Sequence, residues 1–404
     1  MRAFRHPNFR TFFLGALVSN SGSALQSLAI PYVILEITGS SLWVGLTGFA
    51  LMLPSFLVGP LGGSLADRRN RRTILLVTQV AMALTAFALW WVWSAGWHQP
   101  GLILGITAVS GVFSGLMIPS WQAFVASLVP RDDLASAITL NSAQFNGSRA
   151  IGPAMAGAVI AIAGPGWAFF LNGVSFVTVI IALSVIRPSV DERPAAAHGT
   201  WEGFGQAIEY IRQRTGIVLS VVAAMLVAFF GSPATQFTVV FNKFVYLASP
   251  TVLGWLTAAV GLGAVLMAPV ISTWDTRVRR STVVRWGLPI YALSIVGFGA
   301  APTWQLGLVC LLLNGAGFLA VIATTNTSIQ MIVANEMRGR VMSIRIMGFT
   351  LAFPIGSLAQ GALAEVWGPR ETVALFGSIL LVAALYLFSR PGLLATLDAE
   401  TDDI

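Results

Sequence analysis

The stretch Gly63-Ser64-Leu65-Ala66-Asp67-Arg68-Arg69-Asn70-Arg71-Arg72-Thr73 separates two long apolar segments, at about 41–66 and 73–95. Within it, residues 67–72 hold five charges in six positions, and four of them are Arg. Arginine clusters between apolar segments mark the cytoplasmic side of a pair of membrane-spanning helices. Gly63, just before the cluster, is predicted to let packed helices approach closely. The stretch therefore predicts a membrane-spanning helix on each side of it.

The composition predicts an integral membrane protein. Of 404 residues, 56% are hydrophobic and only 10% are charged, whereas soluble domains carry about 25% charged residues. At about 20 apolar residues per span, the chain has room for about a dozen spans. The net charge of +7 does not indicate a nucleic-acid partner, because the Arg side chains lie between apolar segments and so report topology.

Twelve apolar segments follow one another along the chain. They lie at about 11–35, 41–66, 73–95, 101–129, 135–163, 167–186, 215–246, 251–274, 281–300, 303–333, 341–364 and 372–389. With the N-terminus in the cytoplasm, the inside loops hold 20 of the 23 Lys and Arg residues, and the outside loops hold Lys243 and Arg370. This asymmetry predicts a multi-pass protein of a bacterial-type plasma (inner) membrane with both termini in the cytoplasm.

An internal repeat divides the segments into two parallel sets of six. Asp67-x-Arg69-x-Arg71-Arg72 recurs 208 residues later as Asp275-x-Arg277-x-Arg279-Arg280, and Gly152 and Gly157 recur 204 residues later as Gly356 and Gly361. We therefore predict an all-α membrane fold of twelve transmembrane helices in two parallel six-helix halves. The predicted domains are an N-terminal bundle at 1–187, a linker at 188–214, a C-terminal bundle at 215–390 and a cytoplasmic tail at 391–404.

The linker and the tail carry different patterns. In the linker, Trp201, Phe204, Ile208 and Ile211 recur at helical spacing and predict an amphipathic helix. That helix either lies along the membrane interface or packs against the protein. The tail ends in acidic residues and is predicted to be disordered and solvated.

Polar side chains are concentrated in three of the apolar segments, where they predict a substrate cavity. They are Asn20 and Gln26 in segment 1, Asn141, Gln144 and Arg149 in segment 5, and Asn326 and Gln330 in segment 10. Arg149 is the most costly of them at mid-membrane. It either contacts an anionic substrate or a carboxylate, or it makes structural hydrogen bonds to the backbone of a neighbouring helix.

The loop at 63–75 resembles the loop 2–3 signature of the major facilitator superfamily. The matching pattern is Gly63-x-Leu65-Ala66-Asp67-Arg68-x-x-Arg71-Arg72-x-x-Leu75, with Asn70 in place of the usual Gly. The resemblance implies a latch that holds the two halves closed on the cytoplasmic side. It comprises Gly63, Asp67, Arg68, Arg71 and Arg72, with their repeat counterparts Asp275, Arg279 and Arg280. Asp67 is placed to accept from the N–H groups of a helix start near 341. The alternative is an ordinary positive-inside loop.

Further motifs resemble one branch of that superfamily, the enterobactin exporters and macrolide-efflux carriers. They include Asn8-Phe9-Arg10, Leu35-Glu36-x-Thr38-Gly39-Ser40, Asn146-Gly147-Ser148-Arg149-Ala150-Ile151-Gly152-Pro153 and Arg338-Gly339-Arg340. Segment 4, at 101–129, lacks the Arg that the drug antiporters carry there. The candidates for proton coupling are therefore Glu36 and Asp67, with Asp275 a weaker third. Glu36 at the outer end of segment 1 is either the coupling group or an exposed interfacial acid.

The sequence contains no nucleophile–base arrangement, phosphate-binding loop, metal-ligand spacing or nucleotide fingerprint. We therefore predict no enzyme activity, no cofactor and no metal. The leading interpretation is a proton-coupled antiporter for multidrug-type efflux, with amphiphilic drug, macrolide or siderophore molecules as substrates. The alternatives are an importer of a small metabolite and a non-transporting scaffold or receptor. The expected partners are the small-molecule substrate, protons and membrane lipids, and we expect a monomer.

Overall fold

The computed structural model describes residues 2–186, 201–274 and 278–399, and every regular element in these ranges is helical. The α-helices are α1 (Pro7–Thr38), α2 (Ser41–Arg68), α3 (Arg71–Ser94), α4 (Pro100–Ser127), α5 (Leu134–Ala163), α6 (Pro165–Val185), α7 (Trp201–Arg212), α8 (Thr215–Leu226), α9 (Thr238–Val240), α10 (Pro250–Trp274), α11 (Arg280–Ala300), α12 (Trp304–Ile332), α13 (Asn335–Trp367), α14 (Pro369–Phe388) and α15 (Pro391–Ala395). The predicted all-α fold is confirmed. Asp275 and most of the polar linker lie outside the described ranges.

The helix lengths fit a membrane protein that crosses the bilayer many times. Within the described ranges, ten stretches are long and apolar enough to span, namely α2–α4, α6, the combined stretch Thr215–Val245 and α10–α14. The helices α1 and α5 are less apolar because they carry many of the polar side chains. With 32 and 30 residues they are nevertheless longer than the roughly 30 Å hydrocarbon core. With these two helices the chain has the twelve predicted spans.

Local capping residues fix where the helices of the predicted signature begin and end. Gly39, with a φ of 63°, takes the left-handed conformation that ends α1. Ser40 then caps α2 by accepting from the Trp43 N–H. Asn70 caps α3 in the same way, with its side-chain oxygen 3.1 Å from the Thr73 nitrogen. The substitution of Asn for the usual Gly in the loop signature thus supplies a helix cap.

Contacts between helices divide the chain into two units. Unit 1 comprises Met1–Ala197 and Ser249–Ala258, and unit 2 comprises His198–Ala248 and Ala259–Ile404. A close backbone contact of the same kind occurs in each unit, between α2 and α4 in unit 1 and between α10 and α12 in unit 2. A Cβ at Gly111 would overlap the Leu51 carbonyl, and one at Gly315, 204 residues later, would overlap the Val260 carbonyl. Equivalent glycines therefore make equivalent contacts in the two units, as small residues do in packed membrane helices.

The close approach predicted at Gly63 occurs one residue earlier. A Cβ on Gly62 would lie 2.7 Å from the Gly115 carbonyl oxygen, whereas a Cβ on Gly63 would meet nothing within 4 Å. Successive residues of a helix point about 100° apart, so only one of two adjacent glycines can face the partner helix.

The seventh apolar segment is interrupted, whereas the sequence predicts one continuous run at 215–246. After α8 the chain forms a π-helical turn at Val227–Gly231 and a 3₁₀ turn at Ser232–Thr235, and after α9 a second π-helical turn at Phe241–Val245. Pro233 lies at the first break and cannot donate a helical hydrogen bond. The Gln360 side-chain amide compensates by donating to the Phe230 carbonyl at 3.0 Å. Side chains of neighbouring helices can satisfy the free backbone groups at a break in a membrane helix in this way.

The amphipathic linker helix packs against unit 2, so the second of its two predicted environments is found. Ala207 and Ile211 of α7 are buried. The Tyr210 hydroxyl accepts from the Ala334 N–H at 3.1 Å, just before α13. Arg340 of α13 donates to Gln206 Oε1 at 3.0 Å. The side chains of residues 201–204 lie outside the described part of the structure.

The tail is ordered over its described residues, so the prediction of a disordered end is wrong for 391–399. It forms α15 and a 3₁₀ turn at Thr396–Asp398, and it buries Leu394 and Leu397. The prediction rested on the acidic residues of the tail and did not consider Leu394 and Leu397, the apolar side chains that bury it against unit 2.

Candidate functional site

A polar seam joins α1 to α5 inside unit 1. The Asn20 amide donates to Gln144 Oε1 at 3.2 Å, and the Gln144 amide donates to the Ala16 carbonyl at 2.9 Å. Ser148, one turn further along α5, lies 3.3 Å from the Ser21 hydroxyl. Gln144 and Ser148 are buried. Two predicted cavity residues, Asn20 and Gln144, therefore fix the packing of the two helices, and their contact with substrate stays a prediction.

Two further predicted cavity residues also bond to neighbouring helices. Gln26 is buried in α1, and its Oε1 accepts from the Asn172 amide of α6 at 2.8 Å. Asn141 of α5 accepts from the indole N–H of Trp121 in α4 at 3.4 Å. Hydrogen bonds of this kind hold membrane helices together where no water is available.

Arg149 points away from this seam. It is exposed, although it follows directly after the buried Ser148, and it makes no hydrogen bond or ion pair with the described residues. Ile138 and Phe145 lie on the same face of α5 and are 53% and 50% exposed. The structural alternative for Arg149, a hydrogen bond to a neighbouring backbone, is absent among the described residues. Arg149 is thus a cation on an open face of α5 that also presents the apolar Ile138 and Phe145 and the hydroxyl of Ser142.

A buried arginine in unit 2 was missed by the sequence analysis. Arg345 was counted among the inside-loop arginines, although it lies within the predicted segment 341–364. The structure places it inside α13, which begins at Asn335, and it is 7% exposed. Its guanidinium donates to Asn326 Oδ1 at 3.2 Å, to the Ile322 carbonyl at 3.0 Å and to Thr325 Oγ1 at 3.2 Å. Of the two predicted cavity residues of α12, Asn326 is thus bonded to Arg345 and Gln330 is exposed.

The repeat contained a signal for Arg345. It lies 204 residues after Asn141, and Thr325 lies 204 residues after Trp121. The contact between Arg345 and Thr325 in unit 2 therefore corresponds to the contact between Asn141 and Trp121 in unit 1. Comparing polar residues across the 204-residue repeat would have matched Arg345 with Asn141, which lies inside a helix.

The loop residues of unit 1 have different environments. Arg72 donates to the Leu183 carbonyl at 2.6 Å and to the Ser184 carbonyl at 2.7 Å, which are free because α6 ends at Val185. Arg71 donates to the Ala66 carbonyl at 3.4 Å. Arg68 is exposed and Asp67 is half-buried. The latch role of this loop stays a prediction.

In unit 2, the repeat counterpart of Arg72 contacts the C-terminal tail. Arg280, 208 residues after Arg72, donates to the Asp398 carbonyl at 2.8 Å. The Asp398 carboxylate in turn accepts from the Ser281 N–H at 2.9 Å and from the Ser281 hydroxyl at 2.5 Å. Arg279 is exposed, and Asp275 lies outside the described residues.

The acid candidates for proton coupling lie at helix ends. Glu36 is exposed on the last turn of α1, one turn after Tyr32. Tyr246, just beyond the span 215–245, is a further titratable group. Burial raises the pKa of Tyr246 to about 12, and Arg370 opposes this shift. A phenol with that pKa stays neutral across the physiological range, so Tyr246 is unsuited to proton exchange.

One polar pair at the start of the chain was not predicted. His6 Nε2 lies 2.7 Å from Asp133 Oδ2, and each residue directly precedes a helix, α1 and α5 respectively. The contact is an ion pair when the imidazole is protonated. Both residues are at helix N-cap positions, which was the signal available in the sequence.

Comparison with known proteins gives a consistent result along the whole chain. The profile of the family described as transmembrane secretion effectors matches residues 1–402. The enterobactin exporter EntS of Citrobacter koseri is 26% identical over 95% of this chain and 91% of its own length. The multidrug efflux pump Tap of Mycolicibacterium fortuitum is 25% identical over 92% of this chain and 93% of its own. The crystal structure of a bacterial homologue of the human lysosomal transporter Spinster superposes with a TM-score of 0.78 at 15% identity, covering 98% and 99% of the two chains.

Proposed function

The chain belongs to the transmembrane secretion effector family of the major facilitator superfamily, and we propose that it exports amphiphilic small molecules in exchange for protons. It is a multi-pass membrane transporter and not an enzyme. The proposal adds a direction, a substrate class and a coupling ion to that identity.

The open face of α5 carries the proposal on substrate class. It presents Arg149 among exposed apolar side chains, including Ile138 and Phe145. An amphiphile with an apolar body and an anionic or acceptor group matches such a face, because the apolar body can cover the side chains while the acceptor pairs with the guanidinium. Drug, macrolide and siderophore molecules have this chemistry. Gln330 is exposed and can touch substrate. The other predicted cavity residues then act by holding the cavity helices in place, namely Asn20, Gln26, Asn141, Gln144 and Asn326.

The direction of transport is proposed by analogy with the relatives, which are named as exporters or efflux pumps. We place the protein in a bacterial inner membrane with both termini in the cytoplasm, because its Arg residues lie on one side of the predicted spans. The proposed working parts are the bundles 1–187 and 215–390, joined by 188–214 and followed by the tail 391–404. We propose that the protein works as a monomer and moves its substrate by alternating access.

The gate and the coupling group are proposed from the residues at the helix ends. The loop latch comprises Gly63, Asp67, Arg68, Arg71 and Arg72 with Asp275, Arg279 and Arg280. Glu36 is the preferred proton carrier, because it lies at the end of α1 that we place on the outer side, where protons would enter an antiporter. A carrier can be driven only by a group that binds the ion differently in its two states.

Transport in everted membrane vesicles tests the proposal. The vesicles come from a host that lacks its own efflux carriers, and a fluorescent amphiphilic dye is added outside them while a pH gradient, acid inside, is imposed. We expect dye accumulation that a protonophore abolishes. Uptake only in right-side-out vesicles would indicate an importer, and no movement in either orientation would indicate a scaffold.

A further inference from the structure

Arg285 of α11 has no polar partner in the described part of the protein. Its guanidinium lies over the ring of Phe388, 4.4 Å from the centroid, and its Nε is buried without an acceptor. Guanidinium groups normally donate several hydrogen bonds. The Arg285 guanidinium can therefore donate to a negatively charged group from outside the protein.

The position of Arg285 matches the depth of lipid headgroups. It is the sixth residue of α11, about 8 Å from the helix start along the axis. An Arg at that depth can extend its guanidinium to the interface while its stem stays in the apolar region. The exposed Thr282, one turn earlier on the same face, adds a hydroxyl donor.

An apolar stripe continues from this position into the membrane. Trp286, Ile290 and Leu293 follow at i, i+4 and i+7, and they are 57%, 45% and 58% exposed. The Trp286 ring packs edge-on against Phe388 at 4.9 Å. Tryptophan is enriched at this depth, where its indole N–H meets the polar region. The surface therefore combines hydrogen-bond donors for a lipid headgroup with an exposed apolar strip that an acyl chain can cover.

Unit 1 shows that the helix position does not require a charge. The repeat counterpart of Arg285, 208 residues earlier, is Val77, which is 59% exposed on α3. An apolar side chain is the expected choice on an open membrane-facing helix. Arg285 therefore has a local role, which the shared architecture of the two units does not explain.

We propose that Arg285, Thr282 and the Trp286 indole N–H bind the phosphate group of one anionic phospholipid, with Phe388 packed under the guanidinium and an acyl chain along Trp286, Ile290 and Leu293. The chemistry is that of basic pockets at helix ends that bind lipid head groups. A free inorganic phosphate shares the charge but lacks the acyl chain, so it lacks the contact with the stripe.

Native mass spectrometry of the purified full-length protein tests this site. The protein is titrated with phosphatidylglycerol and, separately, with phosphatidylcholine, and retained lipids are counted. We expect Arg285→Gln to retain one phosphatidylglycerol fewer, with an affinity about fivefold lower. Arg285→Lys should keep most of the binding. Arg131→Gln is the matched control, because Arg131 is an exposed arginine of unit 1 outside the proposed site, and it should bind as the wild type does.

Several results would overturn the proposal. They are equal retention of phosphatidylglycerol by wild type and a folded Arg285→Gln, equal retention of phosphatidylcholine, or displacement of the lipid by millimolar inorganic phosphate. If thermal unfolding shows Arg285→Gln to be misfolded, Trp286→Leu replaces it. That exposed side chain can be changed without a cavity, and unaltered lipid retention would count against the site equally.

Discussion

Asp398, near the end of the chain, caps α11 by accepting hydrogen bonds from Ser281. Its carboxylate lies 2.9 Å from the Ser281 nitrogen and 2.5 Å from the Ser281 hydroxyl oxygen. Arg279, at the N-cap position of α11, provides no side-chain cap. A carboxylate at this position satisfies a free N–H group and is favoured by the helix dipole. The tail is thus a structural part of unit 2.

Asp398→Ala should destabilise the protein through the loss of this cap. The expected cost is about 1 kcal/mol, the usual effect of removing an N-cap side chain, and a fall of a few degrees in the unfolding temperature. Thermal unfolding in detergent measures it. Asp132→Ala, at an exposed loop acid, should leave the unfolding temperature unchanged. An equal effect of both changes would mean that general charge, and not the cap, is responsible.

Arg72→Gln should lower the unfolding temperature while Arg68→Gln should not. Arg72 donates to the Leu183 and Ser184 carbonyls at the end of α6, and Arg68 is exposed. Hydrogen bonds that involve a charged group contribute about 1.5–3 kcal/mol, and partial exposure of Arg72 places it at the lower end. If Arg72→Gln unfolds at the wild-type temperature but transports slowly, Arg72 belongs to the latch alone.

Asp67→Asn tests the latch without changing a packed contact. Asp67 is half-buried and the variant keeps its shape, so expression and unfolding temperature should stay near those of the wild type. The predicted partner, a helix start near 341, is wrong in position, since α13 begins at Asn335. The loss of the negative charge should still reduce the rate of transport if Asp67 binds the N–H groups at that helix start, because they favour an anion. Asp132→Asn serves as the control acid. A wild-type transport rate in Asp67→Asn would exclude the latch role.

The sequence patterns predicted the helices better than their interruptions. Apolar length and the repeat sufficed for the spans, because a membrane forces each apolar run to form a helix. The break after α8 was not predicted, since glycine and proline are tolerated in many membrane helices, and only the position of Gln360 in the folded protein shows how the free Phe230 carbonyl is satisfied. Local sequence carries no record of such long-range compensation.

The same limit applies to the candidate site. Polar residues of segments 1 and 5 contact one another, but helical spacing did not separate Gln144, which bonds to α1, from Arg149, which is exposed. Arg345 was counted with the loop arginines because it lies only four residues inside the predicted start of segment 11 at 341, whereas α13 begins at Asn335 and Arg345 is buried in it. Partners in space, and not composition, decide which polar residue is structural.

Arg149→Ala and Gln144→Ala should have opposite effects on transport and stability. Removing the exposed Arg149 should abolish transport and leave the unfolding temperature unchanged, because it bonds to no described residue. Removing the buried Gln144 leaves Asn20 and the Ala16 carbonyl without a partner, and should cost about 1–3 kcal/mol of stability. Measuring the transport rate and the unfolding temperature of both variants distinguishes a substrate-binding role from a structural one. A destabilised Arg149→Ala would indicate a structural role.

Glu36→Gln should separate proton coupling from substrate movement. If Glu36 carries the proton, the amide cannot be protonated and deprotonated, so efflux driven by a pH gradient should stop. Exchange of labelled for unlabelled substrate should continue, because it needs no net proton movement. Proteoliposomes with an imposed pH gradient measure the first activity, and counterflow measures the second.

The control for Glu36 is another exposed acid at a helix end. Glu371→Gln, in the first turn of α14, removes the same charge from unit 2 and should leave both activities intact. Full gradient-driven transport by Glu36→Gln would exclude Glu36 and direct attention to Asp67 and Asp275. Loss of exchange as well as driven transport would assign Glu36 to substrate binding or to the movement of α1, because a group that serves only the proton is not needed when substrate moves down its own gradient.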